Sequence, residues 1–169
     1  LYKVENQQYI HYGKGSVVLY SLQDYIGEDK VNLALKSFLE EFRYKEPPYP
    51  TSNDFLRHLD PHVPDSMKYL VDDLFKKITL YDYRMKEASL KMQGEQYEVT
   101  MTFEARKMYA DTMGIETSAQ LHEWVDVGVF ADEDREDLIA YKRIYVDEEN
   151  MEYTMYVDRK PLKAAIDPR

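Results

Sequence analysis

The stretch Gln96-Tyr97-Glu98-Val99-Thr100-Met101-Thr102-Phe103-Glu104 alternates polar and apolar residues without a break. Successive side chains of a strand point to opposite faces, so this pattern predicts a strand with one face in a core and the other in water. The same period returns downstream in Val125, Val127 and Val129, and again in Met151, Tyr153, Met155 and Val157. Residues 78–92 and 138–146 read as further strands, and 161–166 as a last one. Gly94, Gly114 and the acidic cluster ending at Asp137 mark turns between them. Six antiparallel strands in about 90 residues imply a small β-sandwich.

Upstream of residue 77 the period is helical. Val17, Val18, Tyr20, Leu22 and Tyr25 make 16–25 a dense apolar helix, with Gly27 as its C-cap. Val31, Leu33, Leu35, Phe38, Leu39 and Phe42 recur at three- and four-residue steps, which predicts a core stripe on a helix over 28–43. Glu46-Pro47-Pro48-Tyr49-Pro50 is a stiff connector. Thr51 with Asp54 then has the form of a helix start, predicting a helix over 52–59. A last helix is expected over 65–76, burying Met67, Leu70, Val71, Leu74 and Phe75. The fold class is therefore α+β: an all-α helical lobe over 1–76, followed by a small antiparallel β-sandwich over 77–169.

The composition narrows the function. Of 169 residues, 44% are hydrophobic, enough for a core, and a net charge of −10 argues against a nucleic-acid partner. The acidic runs at 132–137 and 147–149 read as solvated turns, since no calcium-loop spacing accompanies them. Without cysteine there is neither a disulfide framework nor a thiolate zinc site. No run approaches the roughly 18 apolar residues of a membrane span, and no signal-peptide pattern opens the chain. A start at Leu1-Tyr2-Lys3 reads as a piece of something longer. The expectation is a soluble domain whose parent is extracytoplasmic, membrane-anchored or neither.

The segment Tyr12-Gly13-Lys14-Gly15, followed by Val17, Val18, Leu19 and Leu22, holds a tyrosine at the mouth of an apolar helix. Gly13 and Gly15 are read as a sharp turn, with residues 1–11 extended or irregular before it. This segment resembles the Tyr-x-Lys-Gly stretch of the aminopeptidase N-like zinc metallopeptidases. Tyr44, the Pro50-Thr51-Ser52-Asn53-Asp54-Phe55 stretch and the closing Ile166-Asp167-Pro168 are similar to later parts of that family. There the helical end of a thermolysin-like catalytic domain is followed by a β-sandwich, which is the order read here.

The resemblance implies a role for Tyr12 as donor of a hydrogen bond to the oxyanion formed on a scissile peptide carbonyl. A phenol titrating near about pH 10 keeps its proton at neutrality and suits that role. Tyr9 and His11 flank it as candidate substrate-binding residues. The family's zinc ligands, an H-E-x-x-H helix and a later glutamate, have no counterpart in this sequence. The chain is thus expected to be a C-terminal fragment, inactive alone, with no cofactor of its own and zinc in the intact parent. Its partners would be a peptide substrate and the missing N-terminal half of the catalytic domain.

Other motifs lead nowhere. His58 and His62 have the separation of a helical zinc pair, but Pro61 intervenes and the base glutamate is absent. His122, beside Trp124, reads as a sheet residue. Gly13-Lys14-Gly15-Ser16 lacks the phosphate-loop frame, and there is no nucleophile elbow. A non-catalytic protein-interaction module built on the same two lobes is the alternative function.

Overall fold

The computed structural model describes residues 9–168, with side chains from Tyr12 onward. It divides into two compact units between Ile78 and Thr79. The first is helical and the second is built from strands, giving an α+β fold.

In the helical unit a π-helical turn, Tyr9–Lys14, runs directly into α1, Gly15–Ile26. Lys14 has right-handed helical angles, φ −64° and ψ −40°, so the expected glycine turn is absent. Gly13 is not in a left-handed conformation, and an added Cβ would meet nothing within 4 Å. Gly27 does end α1, at φ 96°, where its N–H donates to Gln23 O at 3.0 Å. α2, Glu28–Phe42, follows, and α3, Ser52–Leu59, packs against it. Asp54 accepts hydrogen bonds at 2.8 Å from both the N–H and the hydroxyl of Thr51, closing a capping box at the start of α3.

The core of this unit gathers Val18, Leu22 and Ile26 of α1, Val31 and Ala34 of α2, and Leu56 and Leu59 of α3. α1 and α2 are amphipathic rather than apolar throughout. Val17 and Tyr20 are 64% and 66% exposed, and Leu33 and Leu39 also face water. The helix expected over 65–76 is broken into a 3₁₀ turn (Asp65–Met67), the one-turn α4 (Lys68–Val71) and a π-turn (Asp72–Lys76). A π-turn carries an extra residue. With it, Asp73 comes inside along with Phe75, and Lys77 reaches its carboxylate at 3.5 Å.

Seven strands make the second unit: β1 (Ile78–Gln93), β2 (Gln96–Ala110), β3 (Glu116–Ala119), β4 (Glu123–Phe130), β5 (Leu138–Val146), β6 (Asn150–Val157) and β7 (Lys163–Ile166). β3, four residues without alternation, was not expected from sequence. One sheet has β2 at its centre, paired with β1, β3 and β6, and the other has the order β5-β4-β7. The register of β2 on β6 sets Val99 opposite Met155 and Thr100 opposite Thr154, antiparallel. β4 sets Val125 opposite Ile144 on one side and Val127 opposite Ile166 on the other.

Val99, Met101, Phe103 and Ala105 of β2, Val125, Val127 and Val129 of β4, and Val157 of β6 form one buried cluster. Inner rows from both sheets thus share a single core, as in a sandwich. The opposite face of β2 is polar. Thr100 and Thr154 share a hydrogen bond of 3.0 Å across the strands, and Tyr156 donates to Glu98 at 3.0 Å. Glu104 is paired with both Lys86 and Arg106. Gly128 is tightly packed: a Cβ there would lie 3.0 Å from the Phe130 ring, which would have to give way by a few tenths of an ångström.

Candidate functional site

The segment ahead of α1 is fixed from both ends. Leu22 and Val18 hold the body of the helix in the core. Ser16 Oγ lies 2.6 Å from Tyr12 O and 3.0 Å from Gly13 O, tying the π-turn to the first turn of α1. Lys14 Nζ donates to Lys77 O at 3.3 Å, and burial pushes its pKa below the usual lysine value. The Lys14 side chain is thereby committed to anchoring the turn. The Tyr12 side chain, by contrast, is 75% exposed. A backbone tied by these bonds thus presents a wet phenol at the start of a core-anchored helix. Tyr9 and His11 belong to the same π-turn, but their side chains lie outside the described residues.

Two polar clusters went unread in the sequence. In the first, Ser37 and Glu41, four residues apart on α2, meet His58 of α3. Ser37 Oγ is 2.9 Å from His58 Nδ1, and His58 Nε2 is 2.8 Å from Glu41 Oε2. The second of these contacts falls outside hydrogen-bond geometry. Arg57 grips Glu41 through both guanidinium nitrogens, at 3.0 and 3.3 Å. Arg57 chiefly, then His58, holds the Glu41 carboxyl below the usual range.

Serine, histidine and glutamate together suggest a nucleophile relay, but the surroundings argue for a clasp. Ser37 also reaches Ala34 O at 3.0 Å within its own helix, and Phe38 and Phe42 stand edge-on to the imidazole. Its hydroxyl is thus held inside the α2–α3 seam. The i, i+4 spacing of Ser37 and Glu41 was the available signal, although it names no partner.

The second cluster lies in the sheet unit. Lys107 continues the inner row of β2 after Ala105, and it is 4% exposed. Its ammonium pairs with Glu123 at the start of β4, itself 3% exposed, and lies 5.7 Å from the rings of Tyr81 and Tyr109. Beside it a cleft of about 540 Å³ opens where β2 passes from β6 to β3, lined by Arg106, Lys107, Thr117, Leu121, Asp147 and Glu149 among others. Arg106 is engaged by Glu104 and by Glu149, the latter at 2.5 Å. Both cations at the cleft are therefore neutralised by carboxylates of the protein. Similarly, Arg143 of β5 grips Asp126 of β4 with bonds of 2.8 and 2.9 Å. Burial first, and Asp126 second, raises the pKa of Asp167 nearby.

His122 precedes β4 rather than lying within a strand. Its ring stacks on Tyr145, whose hydroxyl is 2.9 Å from Nδ1. His58 serves the clasp, and His62 sits in a 3₁₀ turn. Among the described residues no group of three or more His, Asp or Glu is placed to hold a metal ion. No protein-family model matches the chain, and no curated protein matches it.

Proposed function

We propose that this chain is the C-terminal part of an aminopeptidase N-like zinc metallopeptidase, in which Tyr12 stabilises the oxyanion formed on the scissile carbonyl. The observation that carries this reading is the exposed phenol of Tyr12 on a backbone anchored through Ser16, Lys14 and Leu22. An oxyanion donor must be held still in the ground state, so that no reorganisation is needed when charge develops. The Tyr12 O–H donates one hydrogen bond to that oxygen and keeps its proton. Val17 and Tyr20, three residues apart on α1, offer an apolar surface on which the other half of a substrate cleft would rest.

The described residues do not fit a zinc site, and the metal belongs to residues supplied elsewhere in the parent. Acting by itself, the chain supplies the donor and part of the cleft wall, without peptidase activity.

The decisive experiment is Tyr12→Phe in the full protein that carries this segment, assayed on an N-terminal aminoacyl substrate. Removal of one oxyanion donor is expected to lower kcat roughly 100- to 1000-fold with the fold unchanged. A kcat within about threefold of the parent, far short of the roughly 100-fold that such a donor contributes at the least, removes Tyr12 from the chemistry.

A further inference from the structure

From Lys86 to Gln93 every residue of β1 is exposed, on both faces of the strand. β1 pairs with β2 on one side, and among the described residues no strand pairs with its other edge. Such an edge presents a row of unpaired N–H and C=O groups, ready to accept another strand. Along it, Ala88, Leu90 and Met92 share one face, with Leu90 41% and Met92 69% exposed. Glu87, Ser89 and Lys91 alternate on the other face.

This sequence is complementary to itself. Laid antiparallel against a second copy with the two-fold axis at Ser89, Glu87 stands opposite Lys91 of that copy, and Lys91 opposite its Glu87. Ala88 then faces Leu90 twice, and the stem of Lys86 lies beside Met92. Moving the axis half a residue toward the N-terminus sets Lys86 against Lys91, a repulsive cross-strand pair. Moving it one residue toward the C-terminus leaves Glu87 opposite Gln93. We propose that the outer half of β1 pairs with the same edge of a second copy of this chain, in the register centred on Ser89. The two sheets then continue into one across the axis. An eight-residue pairing buries less than the roughly 1,200 Å² of a standard interface, so the dimer is weak and concentration-dependent.

Because the chain has no cysteine, introduced thiols report the register directly. Directly opposed residues hold their Cβ atoms about 4.5–5.5 Å apart, near disulfide reach. Ser89→Cys is therefore expected to form a covalent dimer under mild oxidation. Lys91→Cys places its two thiols four residue rises apart, about 13 Å, and should form at least tenfold less. In sedimentation velocity, Glu87→Lys should weaken the dimer roughly tenfold, and Glu87→Lys with Lys91→Glu should restore it to within about threefold. Circular dichroism melts of each variant establish that the fold is kept. The proposal falls if Ser89→Cys stays monomeric or if both thiols cross-link equally. It also falls if Glu87→Lys leaves association unchanged, or if the protein is monomeric at every concentration tested.

Discussion

In β2, every second residue from Val99 to Ala105 lies in the core, and every intervening one, from Glu98 to Glu104, carries a polar side chain on the other face. In α1 and α2 the apolar residues are as numerous, yet Val17, Tyr20, Leu33 and Leu39 face water while Val18, Leu22, Val31 and Ala34 are buried. A strand has two faces, so one apolar row leaves no choice of side. A helix whose apolar residues spread over a wide arc can bury any stripe within it, and only its neighbours select which. On α1 and α2 the consequence is apolar surface left in water, and the Tyr12 phenol is exposed in the same unit.

Substitutions in the two units are expected to differ in size. Phe103→Ala empties the centre of the sandwich, and is expected to cost about 3–5 kcal/mol in denaturant unfolding. A cost below about 1 kcal/mol would mean that the inner row of β2 does not form the core. Lys107→Met leaves Glu123 buried without its ammonium partner, at an expected cost of about 3–5 kcal/mol, whereas Lys107→Met with Glu123→Leu should return close to the parent. An equal loss in single and double variants would show that the site needs charge rather than matched burial.

The helical unit answers to smaller changes. Thr51→Ala removes half of the capping box and should cost about 1 kcal/mol. The Thr51 N–H, then its hydroxyl, depresses the Asp54 pKa below that of an unfolded carboxylate. This contribution is therefore complete above the unfolded value and lost as pH falls through the folded one. Helical ellipticity followed from pH 6 to pH 2 should show a loss at the acid end, one that is reduced in Asp54→Asn. Smallest of all, Leu39→Ser on the wet side of α2 should change stability by no more than about 0.5 kcal/mol. A larger loss would make Leu39 part of a packed surface, and α2 would then bury its apolar arc as fully as β2 buries its inner row.

The sequence was most legible where geometry allowed one answer. β5 and α3 coincide with the expected 138–146 and 52–59, and the inner row of β2 follows from its alternation. β3 escaped because Glu116-Thr117-Ser118-Ala119 carries no period of its own, and it is a strand only through its hairpin pairing with Lys107 to Ala110. The π-turns escaped for a related reason. An extra residue in one turn changes which side chain points inward without altering composition, and so Asp73 is buried where Leu74 was expected to be more so. Tyr12 stands out by its neighbours in sequence, while the bond from Lys14 to Lys77 O that ties down its segment spans most of a domain. The Ser37–His58–Glu41 clasp joins residues 21 apart, and only the α2–α3 packing brings them together.

The central place of β2 also sets an order in time. Its partner β1 leaves the ribosome just before it, but β6, which faces Tyr97 through Glu104, comes roughly fifty residues later. Until Asn150 to Val157 have been synthesised, the hairpin's apolar row has no lateral cover on that side. Non-local pairing of this kind closes slowly compared with contacts between neighbouring helices. The nascent sandwich therefore passes through an interval in which Val99, Met101 and Phe103 are open to chaperones and to sticky encounters, after the helices have already had their chance to collapse.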